Sequence, residues 1–494
     1  MFRRVLLLAL LCAACSHRQR LPDGSLAFLE VRSEHFRLRT DLPEAEARKA
    51  VVELERVRNA FLVSLFSPDL DAGAPLEVVA LADIEEMGEF APPRTLGFFA
   101  QSATGHRMIA LSGDDPAGSV VLRHELGHHL LFLAIPRQPR WFAEGVACYL
   151  ETTRYDRSRG QWVVGELDQR RLEFSARNPV SHWDAVLKMG PQYMSGNPGR
   201  AWAFETHSWL LFHYLANTHP AETEAFLGRL QARMDPVAAF AQSYPGMSEQ
   251  RIGEGVHAYL NGGKYLQRFF SVAEPEVKIA VRHLSSAETH ALRARLLASK
   301  MMPGWLRPAR KEVALALAAD PGEPEALAVD FEITERPLAD HIERARTAVR
   351  LHPYDARAAL LLAERLPSGG ERHLAIERAL ELSQEDPDAL RLGAFDSLAG
   401  GRFPEGLDRA RRAQRLAATD PRALDVLAAA LAANGRCAEA SQVEQRALEV
   451  LPDGTPESTV RQLQERAREM AGGSLCVRPV VEEAGGPETT KHPR

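Results

Sequence analysis

Hydrophobic patterning divides the first part of the chain into strands and helices. Residues 34–40 and 76–81 are short runs typical of strands, and residues 44–66 between them repeat apolar positions at helical spacing. Residues 107–112 predict another strand, which is followed by a long apolar helical run at 119–133. We therefore expect an α+β domain, with a mixed α/β lobe first and a helical lobe after it.

The second half of the chain is rich in alanine and leucine, and prolines recur in it at intervals of roughly 31–34 residues. These prolines are Pro321, Pro353, Pro387, Pro421 and Pro452. The clearest unit covers residues 420–449, and residues 386–416 repeat it. A weaker unit begins near Ser286, and residues 457–470 are expected to form a polar capping helix. This period resembles that of tetratricopeptide (TPR) repeats, which implies an all-α solenoid over residues 286–473.

Stacked helix pairs of this kind present a concave surface that commonly holds a peptide or a partner protein. The alternative is that the array packs against the first domain and spaces it from a membrane.

The helical run at 119–133 contains an H-E-x-x-H motif formed by His124, Glu125 and His128. Residues four apart lie on one helical face, so the two histidines can present nitrogens to one metal ion. Glu125 lies about 100° around the helix, where a carboxylate can reach a metal-bound water without ligating the metal. The motif therefore predicts a zinc site. The alternative is a surface helix that carries three polar residues by chance.

The next segment offers a third ligand. Residues 135–139 contain two prolines and give the chain a place to turn before a second helix that begins near Arg140. Glu144 in that helix would face back toward the histidines. Three protein ligands would leave a fourth zinc position open for water.

Residues 124–151 resemble the gluzincin metallopeptidases, in particular their peptidase MA-like group. The resemblance implies a zincin-like domain that hydrolyses peptide bonds with a zinc-activated water and with Glu125 as general base. The zinc ligands that it implies are His124, His128 and Glu144. It also implies that the strand at 107–112 is the sheet edge that pairs with an extended substrate.

Two departures from better-known relatives refine this expectation. Residues 97–101 read G-F-F-A-Q and lack the acidic group with which aminopeptidases of this clan hold a free amino terminus, so exopeptidase action is unsupported. Some gluzincins place an aspartate four residues after the third ligand to orient a zinc histidine, whereas this chain has Cys148 there. Another residue must then orient the histidine. Cys148 is either a fourth ligand or a small buried core residue.

A further donor should stabilise the oxyanion of the transition state. The candidates are Tyr193 and His207, which lie beyond the two ligand-bearing helices. The alternative is that Tyr193 is a loop residue and His207 a helix-packing residue.

The N-terminus resembles a bacterial lipoprotein signal over residues 1–20. A basic start is followed by an apolar run at 5–11, which is too short to span a bilayer of about 30 Å, and by small residues before Cys15. Cys15 is the expected lipidation site, although Cys12 stands where such signals usually have leucine. Ser16 after the cysteine resembles the type sorted to the outer rather than the inner membrane. The alternative is a secreted or periplasmic protein.

Composition excludes some partners. The net charge of −6 over 494 residues, with both signs mixed along the chain, offers no basic patch for nucleic acid. In an exported protein, Cys437 and Cys476 either pair or remain thiols.

Six segments are expected. They are the signal at 1–20, an α/β lobe at 21–117, a helical zinc lobe at 118–270, a linker at 271–285, the repeats at 286–473 and a disordered tail at 474–494. Residues 21–270 would contain the catalytic site, and the repeats would fold without them.

The competing hypothesis is a non-catalytic envelope lipoprotein whose repeats bind partner proteins. Glu125 argues against it, because a structural zinc needs ligands but no base. A third possibility is a self-processing or tightly gated protease that acts on one envelope protein.

Overall fold

The structure is a computed structural model. It describes residues 20–70, 73–93, 95–101, 107–113, 118–135, 137–188, 198–262, 265–299, 302–451, 455 and 457–476. The expected lipidation site Cys15, the candidate Tyr193 and the tail from residue 477 onward lie outside the described residues.

Strands form two sheets. The larger sheet contains β1 Leu29–Arg32, β2 Phe36–Thr40, β3 Leu76–Leu81, β4 Gly97–Gln101, β5 Arg107–Ser112 and β9 Ala280–His283. Its order is β4-β5-β3-β2-β1-β9, with β3 parallel to β2 and β5 and the other pairs antiparallel. The smaller sheet contains β6 Arg154–Asp156, β7 Gln161–Val164 and β8 Arg268–Phe270.

Ten helices described before residue 270 accompany these strands. They are α1 Glu44–Leu65, α2 Ile84–Met87, α3 Val120–Ala134, α4 Arg140–Leu150, α5 Gln169–Arg177, α6 Trp183–Lys188, α7 Pro198–Thr218, α8 Pro220–Gln231, α9 Pro236–Ser243 and α10 Glu249–Gly262. The strands β2 and β3 and the helices α1 and α3 lie where the hydrophobic pattern predicts them. No helix within the described residues is both long and apolar enough to cross a membrane.

The described residues after β9 are helical almost throughout. The helices are α11 Ser286–Ala298, α12 Leu306–Ala319, α13 Pro324–Ile333, α14 Leu338–Leu351, α15 Ala356–Arg365, α16 Gly370–Leu382, α17 Pro387–Ala399, α18 Phe403–Leu416, α19 Pro421–Ala433, α20 Cys437–Glu449 and α21 Glu457–Ala471.

Two of the recurring prolines of the second half lie at helix starts. Pro387 and Pro421 occupy the first turns of α17 and α19, where a missing N–H costs nothing. The preceding Asp386 and Asp420 cap these helices, because each carboxylate accepts an N–H of the first turn. Local capping chemistry thus produces the helical period that the sequence predicts.

The two faces of the larger sheet pack against different helices. Because side chains alternate along a strand, Leu76 and Val78 of β3 lie in one core cluster with α1, α3 and α4. Val79 and Leu81 lie in another cluster, with Leu292 of α11. The strand is buried along its whole length, so both faces of the sheet are covered.

Two sequence expectations about this sheet need correction. The expected linker at 271–285 contains β9, which pairs with β1. The strand at 107–112, expected at the edge, is β5 and lies between β3 and β4, so that β4 is the edge strand. The pairing of β9 with β1 is not visible in local patterning, because it joins segments far apart in the chain. The strands β4 and β5 are consecutive, but the hydrophobic pattern did not identify residues 97–101 as a strand.

The chain divides into two compact units. The first comprises residues up to 384 together with 415–419, and the second comprises 385–414 and the residues from 420 onward. The first repeat helices therefore belong to the same compact unit as the sheet, and the unit boundary lies about a hundred residues beyond the expected linker.

Candidate metal centre

The two helices that carry the predicted ligands, α3 and α4, are set close together by small residues. Ser119 caps α3 by accepting the N–H of Leu122, and Pro139 precedes the first turn of α4. Gly127, inside the motif, allows the contact: a Cβ there would lie 3.3 Å from the Cα of Ala147. A larger residue at this position would push the helices, and the ligands on them, apart.

The three predicted ligands converge. The Nε2 atoms of His124 and His128 are 3.1 Å apart, and the Oε2 atom of Glu144 lies 3.3 Å from His128 Nε2 and 3.6 Å from His124 Nε2. A tetrahedral zinc ion with bonds of about 2.0–2.1 Å requires donor atoms roughly 3.3–3.4 Å apart. The donor set and its spacing therefore fit zinc.

The charges of this cluster favour a cation at its centre. Burial lowers the pKa of His124, but Cys148, Glu144 and Glu151 outweigh it and raise this pKa well above its usual value. Burial also raises the pKa of Cys148 to about 12, so its thiol is uncharged at neutral pH and the two carboxylates carry the effect. For Glu144, burial is outweighed by His128 and His124, which hold its pKa well below the usual range.

A second group of donors shares His124 but offers its other nitrogen. His124 Nδ1 lies 3.1 Å from Glu151 Oε2 and 3.8 Å from Cys148 Sγ. The guanidinium of Arg171 already donates to Glu151 Oε1 from Nε and Nη2, at 3.0 and 2.9 Å. The positive charge of Arg171 thus already lies on the Nδ1 side of the His124 ring. Cys148 lies on the Nδ1 side, whereas the three converging ligands use Nε2, so the geometry favours the buried core role for Cys148.

Glu125 is half-buried, and its carboxylate makes no hydrogen bond or ion pair with the residues that the structure describes. It is free to accept a hydrogen bond from a water held beside the ligands.

His207 is engaged elsewhere. Its Nε2 donates to the carbonyl oxygen of Asn178 at 3.0 Å, and its ring packs against Phe174. Burial lowers the pKa of His207, which keeps the ring neutral. This arrangement matches the helix-packing alternative rather than an oxyanion donor.

Three site residues were missed by the sequence reasoning: Glu151, Arg171 and Glu205. The sequence did contain an indication of Glu151. It follows Glu144 by seven residues, or two helical turns, and a residue at that spacing lies on the same helical face. The sequence contained no such indication of Arg171 of α5 or Glu205 of α7, whose charged groups are 3.7 Å apart. Burial and Glu144 raise the pKa of Glu205, although His124 and Arg171 oppose them.

Comparisons with known proteins find likeness only in structure. No protein-family model matches the chain, and no curated protein matches it. MamA is 18% identical and matches 39% of this chain and 98% of its own, with a TM-score of 0.25. TTC0263, a TPR protein of Thermus thermophilus, is 17% identical, with coverage of 37% and 98% and a TM-score of 0.29.

YrrB, described as a TPR protein with an unusual peptide-binding site, is 17% identical, with coverage of 36% and 92% and a TM-score of 0.25. With TM-scores below 0.5, these likenesses establish neither the fold of the whole chain nor its function.

Proposed function

We propose that this protein is an exported, zinc-dependent peptidase that cleaves peptide bonds within a chain. The observation that carries the proposal is the convergence of His124, His128 and Glu144 with zinc-compatible spacing. Glu125 stands in the same helix, and its carboxylate pairs with none of the residues that the structure describes. A merely structural zinc would need four protein ligands and no base.

The residues divide the chemistry as follows. Zinc bound by the three ligands would polarise the scissile carbonyl and lower the pKa of a water to about 7. Glu125 takes a proton from the attacking water and returns it to the leaving amine. To serve as ligands the histidines would coordinate through an Nε2 atom that carries no proton, and the bound cation would then replace the imidazolium charge that lowers the pKa of Glu144 in the metal-free protein.

The position of β4 at the edge of the sheet is an argument that the substrate is a peptide. The strand pairs with β5 on one side, and on its other side no strand of the described part of the chain pairs with it, so an extended peptide can add there by backbone hydrogen bonds. A Cβ at Gly97 would lie 2.7 Å from Val121 Cγ1, which places β4 against α3 one turn before His124. A peptide on β4 would thus run past the ligands.

Two substitutions test the activity. Glu125→Gln should keep one zinc per chain and the same melting temperature, yet lower hydrolysis of an unstructured peptide by about 10²–10⁴-fold, because only the proton acceptor is lost. His128→Ala should lose both zinc and hydrolysis. The proposal fails if the wild-type chain holds no stoichiometric zinc, or if Glu125→Gln cleaves as fast as the wild type.

Export and lipid anchoring are a separate part of the proposal. The bond between Cys437 and Cys476 supports an oxidising compartment, since structural disulfides are rare in the cytosol. We expect Cys15→Ser to leave the membrane fraction and appear in the soluble envelope or medium. Sedimentation of that variant with membranes would contradict the lipoprotein assignment.

One observation favours partner binding as a second function. A groove of about 510 Å³ is lined by Arg32, Arg282, Glu288, Arg357 and the turn between α14 and α15. Each of its arginines pairs with a carboxylate and stays partly exposed: the side chain of Arg32 is 54% exposed over the buried Glu30, and those of Arg282 and Arg357 are 41% and 39% exposed beside Glu288 and Asp355. Tyr354, 82% exposed, stands beside them. Exposed arginine and tyrosine are the residues that anchor protein partners.

We infer that this groove takes an acidic peptide segment. Binding of a fluorescent Glu- and Leu-rich peptide to the Glu125→Gln protein should weaken several-fold in Arg32→Gln and with added salt. The same peptide with glutamine in place of glutamate should bind weakly to both proteins. Equal binding of the two peptides would contradict the proposal that the groove binds an acidic segment.

A further inference from the structure

The ring of His124 lies between two carboxylates, that of Glu144 in α4 and that of Glu151 at the C-terminal cap of the same helix. Glu144 and Glu151 are seven residues apart, which is two turns and a rise of about 10.5 Å along α4. Glu144 approaches the Nε2 atom of the ring at 3.6 Å, and Glu151 approaches Nδ1 at 3.1 Å. For Nε2 to bind a metal, the proton of the neutral imidazole must be on Nδ1, and that N–H needs an acceptor.

Glu151 is the acceptor best placed for that proton. Its side chain is 3% exposed, and its other oxygen accepts two hydrogen bonds from Arg171, which is equally buried. Arg171 is fixed in turn, because it lies 4.4 Å over the ring of Trp202 and donates to Thr206 Oγ1. Cys148 Sγ, at 3.8 Å, competes poorly because sulfur is a weak hydrogen-bond acceptor.

We propose that Glu151, held by Arg171, is the positioning residue that fixes the tautomer and orientation of His124 for metal binding. The pair takes over the role expected of an acid at position 148, where this chain has cysteine. This inference rests on the proposed zinc site. It extends the site to Arg171 of α5 and to Trp202 and Thr206 of α7, which hold Arg171 in place.

Zinc affinity of the full chain tests the proposal directly. The metal-free protein is titrated in competition with a chromogenic chelator, and thermal unfolding of the metal-free form is followed in parallel. Glu151→Gln should weaken zinc binding about 10–100-fold, because the charged acceptor of the Nδ1 proton is lost. The variant Glu325→Gln is the matched control. It removes a carboxylate from another buried arginine, Arg39, and should leave zinc affinity unchanged.

Rescue separates positioning from simple stability. Adding Cys148→Asp to Glu151→Gln returns a carboxylate to the same nitrogen and should restore zinc affinity to within about threefold of the wild type. A purely structural role for Glu151 predicts no such recovery of zinc affinity, because the two hydrogen bonds that Arg171 donates to Glu151 Oε1 would still be missing.

Glu151→Gln removes the carboxylate that accepts two hydrogen bonds from the buried guanidinium of Arg171, and this loss destabilises the fold. The double variant Glu151→Gln with Arg171→Met removes that charge, and it should fold while still binding zinc weakly. Tight zinc binding by the wild type together with unchanged affinity in the folded Glu151 variants would overturn the inference alone. No zinc binding by the wild type would overturn the proposed function as well.

Discussion

Two buried glutamates, one in each compact unit, behave in opposite ways. Glu144 in the first unit has a pKa well below the usual range, because His128 and His124 outweigh its burial. Glu444 in the second unit is fully buried, and burial with the neighbouring Asp425 raises its pKa to about 8. Burial and a neighbouring carboxyl group thus neutralise Glu444 although Arg466 lies 3.7 Å away, whereas two histidines keep Glu144 ionised.

The difference extends to the surroundings of each glutamate. The ligand helices bring charged side chains and two imidazoles to one point, at an energetic cost that a bound cation offsets. The core of the second unit consists mostly of alanine, leucine and valine from helix pairs, and a disulfide closes it. The first arrangement is suited to binding an ion and the second to stability.

The largest expected contrast is in metal binding. Glu144→Gln should weaken zinc binding at least 100-fold, or about 3 kcal/mol, because a neutral amide replaces the charged ligand. Glu444→Gln should leave zinc affinity at the wild-type value. Chelator competition on both proteins measures this. Similar losses in the two variants would show that Glu144 acts only through stability.

Reducing the disulfide should affect the second unit alone. Cys437 and Cys476 are 39 residues apart, and closing a loop of this length stabilises by about 3–4 kcal/mol in the chain-entropy estimate. Hydrogen exchange should therefore accelerate after reduction in α20 and α21 but not in α3 and α4. Faster exchange in the ligand helices would contradict independent stabilisation of the two units.

Two glycines test how tightly the helices of each unit approach. A Cβ at Gly145 of α4 would lie 2.7 Å from the backbone oxygen of Ser208, whereas at Gly406 it would lie 2.9 Å from the end of the Leu398 side chain. Gly145→Ala should cost about 2–3 kcal/mol of stability and also weaken zinc binding, because the new methyl group would clash with a backbone oxygen that cannot move aside. Gly406→Ala should cost less than about 1 kcal/mol. Denaturant unfolding with zinc titration measures both.

The smallest effect is a pH dependence of the second unit. The pKa of Glu444 rises from 4.5 in the unfolded chain to about 8 in the folded one. The contribution of Glu444 to the free energy of unfolding is therefore fully present below about pH 4.5 and is lost as the pH rises through 8. Glu444→Gln mimics the protonated form, so it should match the wild type at pH 5 and exceed it by roughly 1–2 kcal/mol at pH 9. Unfolding curves at both pH values measure the difference.

The amino-acid sequence by itself determined the local features. The spacing of His124 and His128, the turn before Glu144 and the Asp-Pro helix starts are set by residues close together in the chain. Helical geometry and capping convert such spacing directly into position.

Tertiary structure decided what depends on contacts between distant segments. It added β9 to the sheet, made β4 rather than β5 the edge, and packed α11 against the face opposite the ligand helices. It also brought Arg171 to Glu151 and turned His207 toward Asn178. Sequence patterning could not give these pairings, because burial and pairing partners are properties of the assembled core, whereas a helical or strand period reports only which face of an element is apolar.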